Sequence, residues 1–407
     1  MYKHSYTEVN GQTGVVRSWA SIADEATTNQ AEMTSRVPFI DYVALMPDAH
    51  LGVGSTIGSV FMARGAIIPA AVGVDLGCGM IALETDIERG AVSDVQEREL
   101  LHQLSRTIPA GLNRGHDAPV NDWGRFATAH PLPQNVIANH WDTTAANQFA
   151  SLGSGNHFVE LAWSKDSARV WMVLHSGSRG VGNKLASLHI KVAQALCVGV
   201  TLEDRALAYL VEGTPEFDNY IADMMWAQVY AYEQRTAMME RLADQVERVL
   251  GPFQISRTIN CHHNYACPQA GGWLTRKGAI DASLGVDGII PGSMGAATYI
   301  VKGKGNEDAL NSAPHGAGRL MSRGQARRTL TTEHFKDLMG GRTWQEGAAE
   351  SLIDESPDAY KPIDVVMRDA ESMVEIVDEL AQFVNYKGVN ARHPERHGAR
   401  GESDAPL

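Results

Sequence analysis

Between residues 36 and 83 the chain alternates short apolar runs with glycine turns: VALMPDAHLGVG, then GSVFMARGAIIPAAVGVDLGCGM. Runs this short, broken by glycine, predict buried strands rather than helices. Glycine supplies 39 of the 407 residues, which implies many tight turns and places where backbone approaches backbone or ligand. Strand signals return at HFVELAW (157–163), at VWMVLHS (170–176) and across 253–301, with turns at Gly271-Gly272 and at 291–295. Residues 84–150 are more polar and helical. A helical hairpin is expected from about 182 to 250. Its second helix opens with Thr214 as N-cap and Pro215 in the first turn, and Gly251-Pro252 ends it. Ile221, Met224, Met225, Val229 and Tyr232 mark its expected buried stripe. Helices are expected to dominate 318–386. The fold class is α/β (mixed α+β), with central sheets flanked by helices in a single large domain over 1–390. Residues 391–407, almost without apolar side chains, are expected to form a mobile polar tail.

The formal net charge is −13, with 44% hydrophobic residues, which excludes disordered and fibrous classes. Four cysteines in so long a chain are no disulfide framework, and a reducing compartment is expected. The N-terminus has no apolar segment of the signal-peptide kind, and the apolar stretch Gly65–Leu83 carries Asp75, Pro69 and four glycines. A cytoplasmic protein without a membrane partner is the expectation.

Polar residues gather where apolar runs meet turns, the places where side chains converge in layered α/β folds. VGVDLGCGM sets Asp75 and Cys78 three residues apart in a glycine turn that can wrap both around one cation. GSGNHFVE adds Asn156, His157 and Glu160; VLHSGSRG adds His175; NCHHNY adds His262 and His263. Three histidines, a carboxylate and a thiol exceed what one tetrahedral zinc needs, so a two-metal site sharing the thiolate is the natural alternative. Such ligation suits Mn²⁺, Fe²⁺, Co²⁺ or Zn²⁺.

Three further stretches are suited to anions. HSGSRG (175–180) offers backbone N–H groups and Arg179, and PGSMGAAT (291–298) offers the hydroxyls of Ser293 and Thr298. No Walker A lysine follows the glycines. In HGAGRLMSRGQARR, His315 precedes Gly-Ala-Gly, and Arg319, Arg323 and Arg327 would share one face of a helix. Residues 301–330 hold six basic and two acidic side chains, against four and thirteen in 331–380. A local polyanion track is one reading of that contrast. Surface ion pairing with the acidic run is the other.

Taken in order, MPDAHLG, VGVDLGCGM, GSGNHFVE, LHSGSRG, NCHHNY, PGSMG, HGAGR and NYKG resemble the RtcB family of GTP- and Mn²⁺-dependent RNA ligases, from about residue 36 to Lys387. The resemblance implies two Mn²⁺ ions, one held by Asp75, Cys78 and His157 and the other by Cys78, His175 and His263. It implies that His315 attacks the α-phosphate of GTP and becomes guanylated. Nucleotide contacts would come from Asn156, His157, Phe158, Val159 and Glu160; from His263 and Asn264; from Pro291, Gly292, Ser293 and Met294; and from Thr298. His315, Gly316, Ala317, Gly318 and Lys387 would complete them. Asp48, Arg179 and Arg319 match polar positions at or near the active centre. Thr298 stands where many members carry serine, and Pro314 directly before His315 is a departure that stiffens the loop.

The expected reaction joins an RNA 3′-phosphate or 2′,3′-cyclic phosphate end to a 5′-hydroxyl end. Transfer of GMP onto the 3′-phosphate creates an anhydride, so that GMP can leave when the 5′-hydroxyl attacks. A metal-dependent phosphoesterase or nuclease, with His315 as general acid, is the rival. A non-enzymatic RNA-binding module fits the acidic balance poorly. A monomer is expected; the physiological RNA and any activating protein are open.

Overall fold

Two sheets meet at His263. The strand Ile255–His262 belongs to one sheet and the strand Asn264–Gln269 to the other, so the chain crosses between them within a single residue. The computed structural model describes residues 3–9 and 12–389, and the expected tail at 391–407 lies outside the described residues.

The larger sheet runs in the order Ile255–His262, Gly79–Glu88, Arg169–Ser176, Phe158–Ser164, Val374–Lys387, Thr298–Gly303, Asp287–Pro291, all neighbours antiparallel. The short strand Thr343–Trp344 joins Val374–Lys387 in parallel. The sheet curls until its two outer strands meet, where Arg257 and Asp287 pair at 2.6 Å, which gives a nearly closed barrel. In the smaller sheet the order is Lys3–Val9, Gln12–Ser18, Val43–His50, Ile57–Ala63, Gly272–Lys277, Asn264–Gln269.

The expected helical hairpin is present as Arg179–Leu196 packed on Pro215–Leu250. Thr214 caps the second helix by accepting from Phe217 N, and Gly251 ends it at φ 95°. Its buried stripe is rotated from the expected one. Met224 is buried, but Met225 and Tyr232 are exposed, and Phe217, Tyr220, Ala227, Ala231, Met238 and Leu242 face the core instead. Together with Asp94–Thr107, these helices cover one face of the barrel and share its largest apolar core. The region 318–386 departs further from expectation. Its helices are short, the longest being seven residues, and 374–387 is a fourteen-residue strand in the interior of the barrel sheet.

Candidate active site

Both sheets direct side chains into one cavity of about 1410 Å³. On the barrel side, Cys78 precedes the strand Gly79–Glu88, His157 precedes Phe158–Ser164, His175 lies near the end of Arg169–Ser176, and His263 is the crossover residue. Their registers bring the donors together. Cys78 Sγ lies 3.3 Å from His157 Nε2 and 3.2 Å from His175 Nε2; His175 Nε2 lies 3.3 Å from His263 Nε2; Asp75 Oδ2 lies 3.0 Å from His157 Nε2. The Asp75 carboxylate also accepts from Ser178 N at 3.0 Å. A Cβ at Gly177 would sit 2.2 Å from that carboxylate, so only glycine fits there.

This donor set fits divalent cations. His175 Nδ1 is 3.1 Å from the Asn156 carbonyl, which can only accept, so the proton sits on Nδ1 and Nε2 presents a lone pair to the cluster. Burial, with neighbouring imidazoles adding to it, drives His175 and His263 well below the usual histidine range. Burial and the Asp75 carboxylate push the Cys78 thiol up. A cation reverses that last preference, because a coordinating thiol loses its proton outright. Sulfur, imidazole nitrogen and carboxylate oxygen converging with lone pairs inward is an arrangement that a cation satisfies and that hydrogen bonds alone satisfy poorly.

His315 follows the short strand Ser312–Pro314 and faces this cluster, its ring centroid 4.8 Å from that of His263. Asp48, fully buried at the end of Val43–His50, accepts from His315 N at 3.0 Å. The same carboxylate oxygen lies 2.6 Å from His315 Nδ1, to the side of the direct N–H line. The pairing sets Nδ1 against the carboxylate and leaves Nε2 as the nitrogen available for bonding. Gly318, at φ 73°, allows the HGAGR turn to lie against Asp48, where a Cβ would come 2.0 Å from the Asp48 carbonyl oxygen.

Around the cluster, the cavity is lined by Asn156, Phe158, Glu160, Asn264, Pro291 to Met294, Gly316 to Arg319 and Lys387. Burial pushes Glu160 up to about 8, against the pull of Lys387 and an amide bond from Asn385. Of the expected site residues, Asp48 and His157 do not line the cavity themselves but bond to His315 and Asp75, which do, and three others do not reach it. Val159 and Thr298 are fully buried within the sheet. Arg179 is buried, with φ 56°, and donates to Ser151 Oγ and to the Arg114 carbonyl rather than entering the cavity.

The arginines after His315 do not form one helical face, because the helix begins only at Arg323. Arg319 donates to the Tyr360 hydroxyl at 2.8 Å and to the Asp354 carbonyl at 2.7 Å. Arg323 pairs with Asp354 at 2.9 Å and with Glu355 at 2.7 Å, and Arg327 with Asp354 at 3.3 Å. Lys387 meets Glu355 at 3.0 Å. Burial alone would raise the Glu355 carboxyl, but Lys387, Arg323 and Arg319 outweigh it and hold the group well below the usual carboxylate range.

Several residues that matter here escaped sequence reasoning. Arg235, fully buried, donates to the carbonyls of Gly77 (2.7 Å) and Ser176 (3.1 Å), fixing the loops beside Cys78 and His175. Its signal was an arginine in register with the apolar stripe Met224, Ala231, Met238, Leu242. Asp354 and Glu355 looked like part of a surface acidic run. No helix among the described residues is long and apolar enough to cross a membrane.

Comparison with known proteins agrees with this geometry. The family described as tRNA-splicing ligase RtcB matches residues 30–388. The RNA-splicing ligase RtcB of Escherichia coli (strain K12) is 38% identical, over 94% of this chain and 100% of its own length. The RNA-splicing ligase RtcB2 of a second Escherichia coli strain is 30% identical over 83% of this chain and 85% of its own. The tRNA-splicing ligase RtcB of Aeropyrum pernix is 26% identical over 82% and 84%. With the match spanning nearly all the described residues and every cluster donor, this chain belongs to the RtcB family of RNA ligases.

Proposed function

We propose that this RNA ligase activates its substrate with GTP through a guanylated His315, and joins 3′-phosphate or 2′,3′-cyclic phosphate ends to 5′-hydroxyl ends in tRNA splicing or RNA repair. The observation that carries the reading is His315 itself, with Nδ1 held against a buried carboxylate and Nε2 free beside a cluster of cation donors. Asp48 orients the imidazole and balances the positive charge that develops on it when Nε2 bonds to phosphorus. Asp75, Cys78 and His157 would hold one Mn²⁺, and Cys78, His175 and His263 the second. When bound, the ions neutralise phosphate charge and orient in-line displacement.

Lys387 and the backbone of Gly316 to Gly318 supply charge and N–H groups for the nucleotide phosphates. Glu160, buried and beside Lys387, is suited to the polar edge of the base. Arg319 is braced by Tyr360 and the Asp354 carbonyl next to the nucleophile, where it can meet a transferring phosphate. The location expected for such an enzyme is cytoplasmic. The test is incubation with α-³²P-GTP and Mn²⁺: covalent label that survives denaturation supports the reading. A protein that cleaves RNA but takes up no label would replace it with the phosphoesterase reading.

A further inference from the structure

His50 ends the strand that carries Asp48 and lines the cavity beside His315. The two rings are stacked, with centroids 6.3 Å apart and planes inclined by 20°, whereas His263 meets the His315 ring at an inclination of 59°. His50 therefore lies close to the expected nucleophile without belonging to the cluster of Cys78, His157 and His175.

Its protonation state follows from its contacts. Nδ1 is 3.0 Å from the Asp48 carbonyl oxygen, which can only accept, so Nδ1 carries the proton. Burial, countered in part by that bond, brings the pKa down to about 4, and the ring is neutral near pH 7. Nε2 is then a bare lone pair, and among the described residues no group bonds to it. His175 is locked in the same tautomer by Asn156, but its Nε2 faces cation donors. His262 Nδ1 lies between the Gly77 carbonyl and Arg235, outside the cavity. Of these three rings, that of His50 is the one in the cavity with no cation donor set around it.

The loop carrying His50 is held rigidly. Lys361 Nζ donates to the carbonyls of Pro47 (3.1 Å) and Ala49 (2.6 Å), and Lys277 Nζ to those of Val53 (2.5 Å) and Ala70 (2.9 Å). Gln30 exchanges two bonds with the Gly52 backbone, at 2.6 and 3.0 Å. So many bonds on one short loop place the imidazole as catalysis requires, without reorganisation.

We propose that His50 is the general base that accepts the proton of the incoming 5′-hydroxyl in the sealing step. The inference rests on the guanylation reading above. As the O5′–P bond forms, the O5′ proton passes to His50 Nε2. The P–O bond to the activating guanylate breaks, and GMP leaves with that electron pair. The proton then returns to solvent, restoring the neutral ring.

His50→Asn tests this, because an amide N–H can replace Nδ1–H toward the Asp48 carbonyl while no base remains at Nε2. Two steps are measured separately: label from α-³²P-GTP on His315, and sealing of RNA already bearing a 3′-pp-guanosine end to a 5′-hydroxyl RNA. The expectation is guanylation within about threefold of wild type and sealing slowed at least tenfold, on the order of 100-fold. Sealing slowed less than tenfold, or guanylation lost as severely as sealing, overturns the proposal. If the Asn variant does not fold, His50→Ala takes its place: added imidazole restores sealing if the role is proton transfer, and failure to restore it in a folded variant overturns the proposal. A wild-type protein that takes up no GMP would instead sink the guanylation reading.

Discussion

The two walls of the cavity are built on opposite electrostatic plans. Apart from the Asp75 carboxylate, the barrel wall presents neutral donors. Burial keeps His175 and His263 uncharged, carbonyls fix their tautomers or loops, and little moves when a ligand arrives. The wall around Arg319, Arg323, Arg327 and Lys387 is fully charged but already paired, since Asp354 and Glu355 occupy each cation. A cation entering the first wall meets imidazole lone pairs and has only the Cys78 proton and the hydrogen bonds of Asp75 to displace. A phosphate entering the second must compete with carboxylates of the protein itself, so binding there is an exchange of partners. Affinity comes cheaply on the first wall, while on the second selectivity depends on geometry more than on net charge.

Substitutions separate these plans. The largest effect is expected from His315→Ala, which stands between the walls: covalent GMP should vanish, while sealing of RNA with a preformed 3′-pp-guanosine end persists. Label retained at wild-type level would remove His315 from the nucleophile role. Next, Cys78→Ala should lower bound Mn²⁺ at least twofold after loading and desalting, read by elemental analysis. Cys197→Ala, whose thiol is buried among helices far from the donors, should leave it unchanged. Equal metal in the two variants would mean that the cluster does not depend on its thiolate.

On the charged wall, Glu355→Gln removes the buried counter-charge of three cations and should cost about 3 kcal/mol in urea unfolding at pH 7. Because the folded carboxyl is held below its unfolded value, its contribution is present above about pH 4 and is lost as pH falls through the folded pKa. The difference between variant and wild type should therefore narrow below about pH 4; a difference independent of pH would point to packing instead. The smallest effect belongs to Arg327→Ala. Its side chain is half exposed and already paired with Asp354, so the loss should be under about 1 kcal/mol. The salt slope of RNA binding should stay the same. A slope shallower by about one would show that Arg327 leaves Asp354 for an RNA phosphate.

What could be read from the chain follows from the same contrast. The neutral wall was legible because each donor sits in a short glycine-flanked turn at a strand end, so local spacing carries the information. The charged wall was not, because Asp354 and Glu355 meet their partners only through tertiary packing, and their neighbours resemble any solvated acidic segment. The strand Val374–Lys387 was read as helical for a related reason. Its first half is largely exposed, its second half is buried on both faces, and its register shifts between Gln382 and Val384, so no period of two survives. Arg235 has a visible signal in its helical register, but a stripe drawn through Met225 and Tyr232 as well as Met224 lies to one side of the buried face that holds it.

That strand has a consequence for how the molecule comes to exist. An interior position in the barrel, between Phe158–Ser164 and Thr298–Gly303, is filled by the most C-terminal strand among the described residues. Until it arrives, the half of the sheet carrying the cluster donors and the hairpin from Asp287 to Gly303 have no strand between them to pair with, and Lys387 is missing from its place beside Phe158. Folding can thus assemble the cation donors before Val374–Lys387 docks, yet the cavity is complete only once that strand is in place.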